Sequence, residues 1–234
     1  TALLDQQRKW ADREKMTVDS RGYLFTVDAN LRQPLSPRAL IAFENGGGSE
    51  LRAKMKALHS SSALAVNVFD YWSERDTAPL VSALKIGPVD QPIRFEAKFP
   101  TGLEGEPPNL DLAITAASGL TYALESKFCE WLTRKSAKKA PFKSKYFPPS
   151  RALWADVSLP ACQALAENMR LGERHFLYLD AAQLLKHSLG LATQRSDKFS
   201  LLYLYYDCPG PEAEKHRDEI KQFDEQVGSE IRLR

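Results

Sequence analysis

The chain has 234 residues, enough for one α/β domain with terminal elaborations, and its 43% apolar and 26% charged residues match an ordinary globular protein with a sizeable core. No apolar run approaches the roughly 20 residues that cross a bilayer, and the stretch LLDQQRKWADREK lacks the apolar run of a secretory signal, so a cytoplasmic protein without a membrane partner is expected. Cys129, Cys162 and Cys208 show no CxxC spacing, which argues against a disulfide framework or a zinc site, and a net charge of +2 does not by itself mark a nucleic-acid binder.

In chain order, Leu3 to Met16 reads as a charged helix and Arg21 to Asp28 as a short strand or extended arm. Pro37 opens a short helix that Gly46 to Gly48 stop, so residues 1–48 form an N-terminal elaboration of a single domain spanning 1–234. Ser49 is placed to cap a helix carrying Leu51, Met55 and Leu58, and Ser62 to Ser73 forms a second helical segment. His59 and the serines after it break the two segments; without a G-x-S-x-G elbow, capping is the expected role of those serines. Thr77 to Ile86 is expected as a short helix, and Pro92 to Phe99 as the first core strand, with Glu96 and Lys98 on its polar face. A Gly/Pro-rich loop carrying Glu104 and Glu106 follows.

The stretch NLDLAITAASGLTYALESKF, Asn109 to Phe128, holds two alternating runs joined by a turn. Leu110, Leu112 and Ile114 fall on one face and Asp111, Ala113 and Thr115 on the other, because side chains alternate along a strand. Gly119 can supply a positive φ for a three-residue loop, and that register pairs Ala116 with Leu120, Thr115 with Thr121, Ala113 with Ala123 and Asp111 with Glu125. Two carboxylates directly across a ladder repel. A divalent cation would compensate them and also supply reactivity. An amphipathic hairpin with a solvated Glu125/Lys127 pair is the plainer alternative.

After the hairpin, Arg134, Lys135, Lys138, Lys139, Lys143 and Lys145 are six cations in twelve residues without an acid, interleaved with Phe142, Tyr146 and Phe147. Cations offer phosphate contacts and aromatic rings offer stacking platforms, so this segment is the candidate DNA-contacting loop, with a solvated surface loop as the plainer alternative. A helix near Pro160 to Met169, a fourth strand at Arg174 to Leu179, a helix capped by Asp180 and an interior fifth strand at Phe199 to Tyr206 complete the expected core, before a charged C-terminal helix. Gln183 and His187, four residues apart, share a face of the Asp180-capped helix.

Asp111, a hairpin and then Glu125-Ser126-Lys127 resemble the bipartite signature of the PD-(D/E)XK nuclease superfamily, with Pro107-Pro108-Asn109-Leu110 leading into Asp111 where the family has Pro as its direct neighbour. The stretches GGGSELRAKMKALHSSSALAVNVFDYW, EPPNLDLAI and YALESKFCEWL are similar to a bacterial family of restriction-endonuclease-like proteins in that superfamily, and the likeness runs from about Gly46 to Ala192. The resemblance implies an α/β fold with a central mixed sheet, a catalytic hairpin and helices on both faces. It further implies Mg²⁺, for which Mn²⁺ may substitute, held by Asp111, Glu125 and the main-chain carbonyl of Ser126. Lys127 would orient or deprotonate the attacking water, so Lys127→Ala is expected to abolish cleavage while sparing folding. An acidic residue on the first helix, Glu50 or Glu74, could join the metal, with Gln183 and His187 in support. DNA is the implied partner, and cutting both strands would favour a homodimer. A nuclease-like fold that binds nucleic acid or protein without cutting is the rival reading. A metal-independent esterase built on His59 and its serines is a third.

Overall fold

The computed structural model describes residues 2–46, 49–90, 92–136 and 140–234. Helices α1 (Ala2–Arg13), α2 (Pro37–Asn45), α3 (Ser49–Arg52), α4 (Ser61–Phe69) and α5 (Ala78–Leu84) precede three strands, β1 (Arg94–Lys98), β2 (Asn109–Thr115) and β3 (Thr121–Lys127). Then come α6 (Pro160–Leu171), α7 (Ala181–Arg195), β4 (Phe199–Tyr205), α8 (Pro211–Phe223) and the short α9 (Ser229–Ile231). Local chemistry sets several of these boundaries. Ser36 and Ser60 accept the N–H groups of Ala39 and Ala63 at 3.2 and 3.1 Å, capping α2 and α4, and Asp180 accepts that of Gln183 at 3.1 Å, capping α7. Pro37 and Pro160 stand in first turns, where a missing N–H costs nothing.

The four strands lie in the order β1-β2-β3-β4, antiparallel for the first two pairings and parallel for the last. Apolar side chains cover both faces. On one, Ala113, Ala123 and Leu201 meet Leu185 and Leu189 of α7, Phe223 of α8 and Trp154 of the segment before α6. On the other, Leu112, Ile114, Leu124 and Leu202 meet Phe43, Val66, Phe69 and Leu80 of α2, α4 and α5. Gly190 allows α7 to lie directly on the backbone of Phe99, since a Cβ there would collide with that carbonyl.

Several expectations are corrected. Arg174 to Leu179 is not a strand: the N–H groups of Leu177, Tyr178 and Leu179 all donate to the carboxylate of Glu219 on α8, at 2.7, 2.8 and 2.8 Å, so a side chain takes the place of a strand partner. Among the described residues the sheet therefore has four strands, not five. β4 is an edge strand rather than an interior one, and its outer edge is covered by the C-terminal residues: Arg234 donates to Leu201 O at 3.1 Å, and Tyr203 donates to Arg234 O at 2.9 Å. The Arg21–Asp28 arm forms only isolated bridges, Val18 with Leu24 and Tyr23 with Ala57. The helix expected from Ser49 to Leu58 is one α-turn followed by a 3₁₀ turn at Lys54–Lys56. No described helix is long and apolar enough to cross a membrane.

Candidate active site

The hairpin takes the register that its alternation dictates. Thr115 pairs with Thr121, Ala113 with Ala123 and Leu112 with Leu124, Ala116 donates to Leu120 O at 2.9 Å, and Gly119 closes the turn at φ +82°. One residue further along the same register, Asp111 faces Glu125, and there the regular pairing ends. The N–H of Ser126 donates instead to Asp111 Oδ2 at 2.6 Å. The carbonyl of an extended residue points to the same edge as its N–H, so the Ser126 carbonyl also faces this gap.

A third carboxylate, Glu96, completes the row. β1 pairs with β2 at Phe95–Leu112 and at Ala97–Leu110, which sets Glu96 opposite Asp111. Glu96 has φ +47°, a left-handed conformation costly for a non-glycine residue within a strand. The pleat breaks here. Phe95 and Leu112 pack on the α2–α4 side, whereas Ala97 and Leu110 pack on the α6–α7 side, so Leu110 does not share a face with Leu112 and Ile114 as alternation alone predicts. On alternation alone Glu96 belongs to the ordinary polar face of its strand. Its signal was the register of β1 against β2, which Pro92 to Phe99 alone does not contain.

Around this row lies a cavity of about 850 Å³, lined by Glu50, Lys54, Glu96, Asp111, Glu125, Lys127 and Gln183, and also by His59, Ser60 to Ser62 and Tyr23. Two lysines offset part of this charge. Lys127 Nζ lies 2.5 Å from Glu125 Oε1 in a nearly buried pair, and Lys54 Nζ lies 2.6 Å from Glu50 Oε1, whose Oε2 accepts the hydroxyl of Ser62 at 2.8 Å. His187 on α7 reaches the rear of Glu125. Its Nε2 stands 3.1 Å from Glu125 Oε2 at an angle that makes no hydrogen bond, and both buried atoms lack a hydrogen-bond partner among the described residues. Glu96 accepts from Asn109 Nδ2 at 2.5 Å.

The protonation states diverge. Burial, then the charge of Glu125, pushes the Asp111 carboxyl well above its usual range. Burial also raises Glu125, but His187 and Lys127 outweigh it and hold this carboxyl below the usual range. For Lys127, burial disfavours the ammonium, yet Glu125 and Asp111 overcome it and raise the pKa. With Glu125 and Asp111 beside it, Lys127 is held as an ammonium in the metal-free chain, a form suited to orienting water.

The other expected residues divide. Glu50, Gln183 and His187 converge on the cavity or on Glu125, whereas Glu74 is exposed and does not line the cavity. Ser60 caps α4, as expected of the serines after His59. In the basic segment, Lys135 pairs with Asp180 at 2.9 Å and Lys145 donates to the carbonyl of Glu104, while Arg134 and Lys143 are exposed. Lys138 and Lys139 lie outside the described residues. The aromatic residues there are not stacking platforms: Phe142 and Tyr146 are buried and Phe147 is half-buried, all against Trp154, because their apolar area is worth more in the core than at a wet surface.

The chain matches the family described as Restriction Endonuclease associating with ARP over residues 5–230. It belongs to this restriction-endonuclease family. Its four-stranded mixed sheet between helical layers is accordingly a restriction-endonuclease-like fold. No curated protein and no solved structure matches the chain. Among the described residues, no three His, Cys, Asp or Glu side chains already stand as a metal-ligand group, and Lys127 and Lys54 each hold one of the carboxylates concerned. The donor set nonetheless fits a hard divalent cation: carboxylate oxygens, a main-chain carbonyl edge and one buried carboxylate oxygen, Glu125 Oε2, that has His187 Nε2 3.1 Å away but no hydrogen bond among the described residues.

Proposed function

We propose that this member of the restriction-endonuclease family hydrolyses DNA phosphodiester bonds with a divalent cation, Mg²⁺ or Mn²⁺, at Asp111, Glu125 and Lys127. The observation that carries the reading is the hairpin register, which sets Asp111 against Glu125 at the point where strand pairing gives way to a cavity. Asp111, Glu125 and the Ser126 carbonyl would hold the ion, with Glu96 and Glu50 at its border. When bound, the ion supplies Lewis acidity at the phosphate.

The remaining work falls to the chain. Lys127, fixed as an ammonium, orients the attacking water and offsets the charge that grows on the phosphoryl oxygens. His187 keeps Glu125 ionised from behind, and Gln183 offers an amide to water or phosphate from the cavity wall. Arg134, Lys135, Lys143 and Lys145 are proposed to contact the DNA backbone, as charge-only contacts without stacking. The ARP named in the family's description is a candidate protein partner for this chain.

The test is incubation of single- and double-stranded DNA with the protein in Mg²⁺, Mn²⁺ and chelator, alongside Asp111→Asn. Cleavage that needs the cation and is lost in the variant is expected. Cleavage that persists in chelator, or in Asp111→Asn at the native rate, sinks the assignment.

A further inference from the structure

A second cavity, of about 500 Å³, lies on the neighbouring face of α7, where Ala182 and Lys186, one turn apart, line it. Among the described residues its rim carries Lys135, Arg170, Arg174, His175 and Lys186 against one carboxylate, Asp180. That carboxylate is already engaged: its two oxygens take Lys135 Nζ at 2.9 Å and the Gln183 N–H at 3.1 Å. Neither Arg170 nor Arg174 has a carboxylate within ion-pair distance among the described residues. Their guanidinium groups lie over the rings of Phe147 and Phe176, at 4.8 and 4.9 Å; Arg174 also donates through Nη2 to Gln222 Oε1, and its Nε is a buried donor with no acceptor among the described residues. A buried donor left unmatched is costly, so an anion here would find a hydrogen-bonding partner in place. Lys186 is held over Phe142 and Tyr146, at 5.4 and 5.9 Å, on the same rim.

The floor has the opposite character. Met169, Phe176, Leu179 and Pro141 give it an apolar surface, and the cavity lies within the size range of small-molecule sites. A bare inorganic anion would leave this floor uncovered, whereas an anion attached to a flat apolar body would cover it. We propose that the cavity binds a nucleotide through its terminal phosphate, with the phosphate on Arg170, Arg174 and Lys186 and the base against Pro141 and Met169. The nucleotide comes either from solution or from the end of a strand. The choice of a nucleotide over other aryl phosphates rests on the nuclease reading; the binding does not require cleavage.

The test uses the full chain in EDTA and reads binding alone, so failure of the cleavage proposal leaves it intact. Fluorescence anisotropy compares one single-stranded oligonucleotide with a 5′-phosphate and with a 5′-hydroxyl, with adenosine 5′-monophosphate and inorganic phosphate as competitors. Competition by the nucleotide, at about tenfold lower concentration than inorganic phosphate, is expected. Arg170→Gln, at an exposed side chain, and Lys186→Gln should each weaken it about tenfold. Nucleotide and phosphorylated strand binding alike assigns the free nucleotide. A phosphorylated strand binding about tenfold tighter than both the nucleotide and the 5′-hydroxyl strand assigns the strand end. Inorganic phosphate competing as well as the nucleotide, no competition by either, or binding unchanged in both variants overturns the proposal.

Discussion

Removing Lys127 should cost the fold as well as any activity, contrary to the simple expectation that Lys127→Ala spares folding. Glu125 is almost fully buried and its Oε1 rests on Lys127 Nζ at 2.5 Å. Breaking a buried pair by deleting one partner costs about 3–5 kcal/mol. Lys127 retains 18% side-chain exposure and His187 stays near Glu125, so the lower end, about 3 kcal/mol, applies. In a chain of this size each kcal/mol moves Tm by about 2–4 °C, giving a fall of about 6–12 °C in chelator. The double variant Glu125→Gln/Lys127→Met removes both charges and should recover most of that loss. Mg²⁺ should raise the Tm of Lys127→Ala more than that of the native chain, because a cation would replace the missing charge beside Glu125. Calorimetric melts of the native chain, Lys127→Ala and the double variant, each in chelator and in Mg²⁺, decide it. A Tm for Lys127→Ala within about 2 °C of native in chelator, where roughly 6–12 °C is expected, refutes the reasoning.

Asp111→Asn should raise Tm at neutral pH in chelator. The folded state holds the Asp111 proton more tightly than the unfolded chain does, so the stability it contributes is complete below the unfolded pKa and is lost as pH rises through the raised folded one; a Tm that falls on substitution contradicts this. The same held proton must leave when a cation binds, so Mg²⁺ or Mn²⁺ affinity should weaken as pH falls. Titration in buffers of different ionisation enthalpy should register its release, and heats that do not depend on the buffer would count against it. Glu96→Gln should weaken cation binding by about 10- to 100-fold, the usual cost of losing a supporting partner, and unchanged affinity would return Glu96 to a structural role. Gly190→Ala should destabilise by about 1–3 kcal/mol in denaturant melts, because the added Cβ meets the Phe99 carbonyl; a neutral effect would mean that α7 can lift off the sheet.

The part of the site that local rules encode was legible in the sequence. A strict two-residue alternation, one glycine suited to positive φ and a three-residue loop fix the register from Thr115 to Thr121 outward, and this brings Asp111 to Glu125. The caps at Ser60 and Asp180 were legible for the same reason. What failed depended on partners distant in the chain. The β-prone run Arg174 to Leu179 is held out of the sheet by Glu219, some 40 residues on. The run Phe199 to Tyr206 is apolar on both faces yet lies at an edge, because the C-terminal residues cover it. Phe142 and Tyr146 sit in a basic segment and still go to the core, since Trp154 offers them a surface no local pattern announces. Glu96 joins Asp111 only through a strand pairing interrupted by a left-handed residue, a break that a period of two cannot foresee.

The central claim is that the carboxylate row ending the hairpin is a cation site used for DNA hydrolysis. Its most direct measurement is calorimetric titration of Mn²⁺ and Mg²⁺ into the native chain and into a folded Asp111→Asn/Glu125→Gln variant, with and without DNA. Saturable binding to the native chain and none at this site in the variant is the expected result. Equal binding to both, or no binding to either with DNA present, would contradict it.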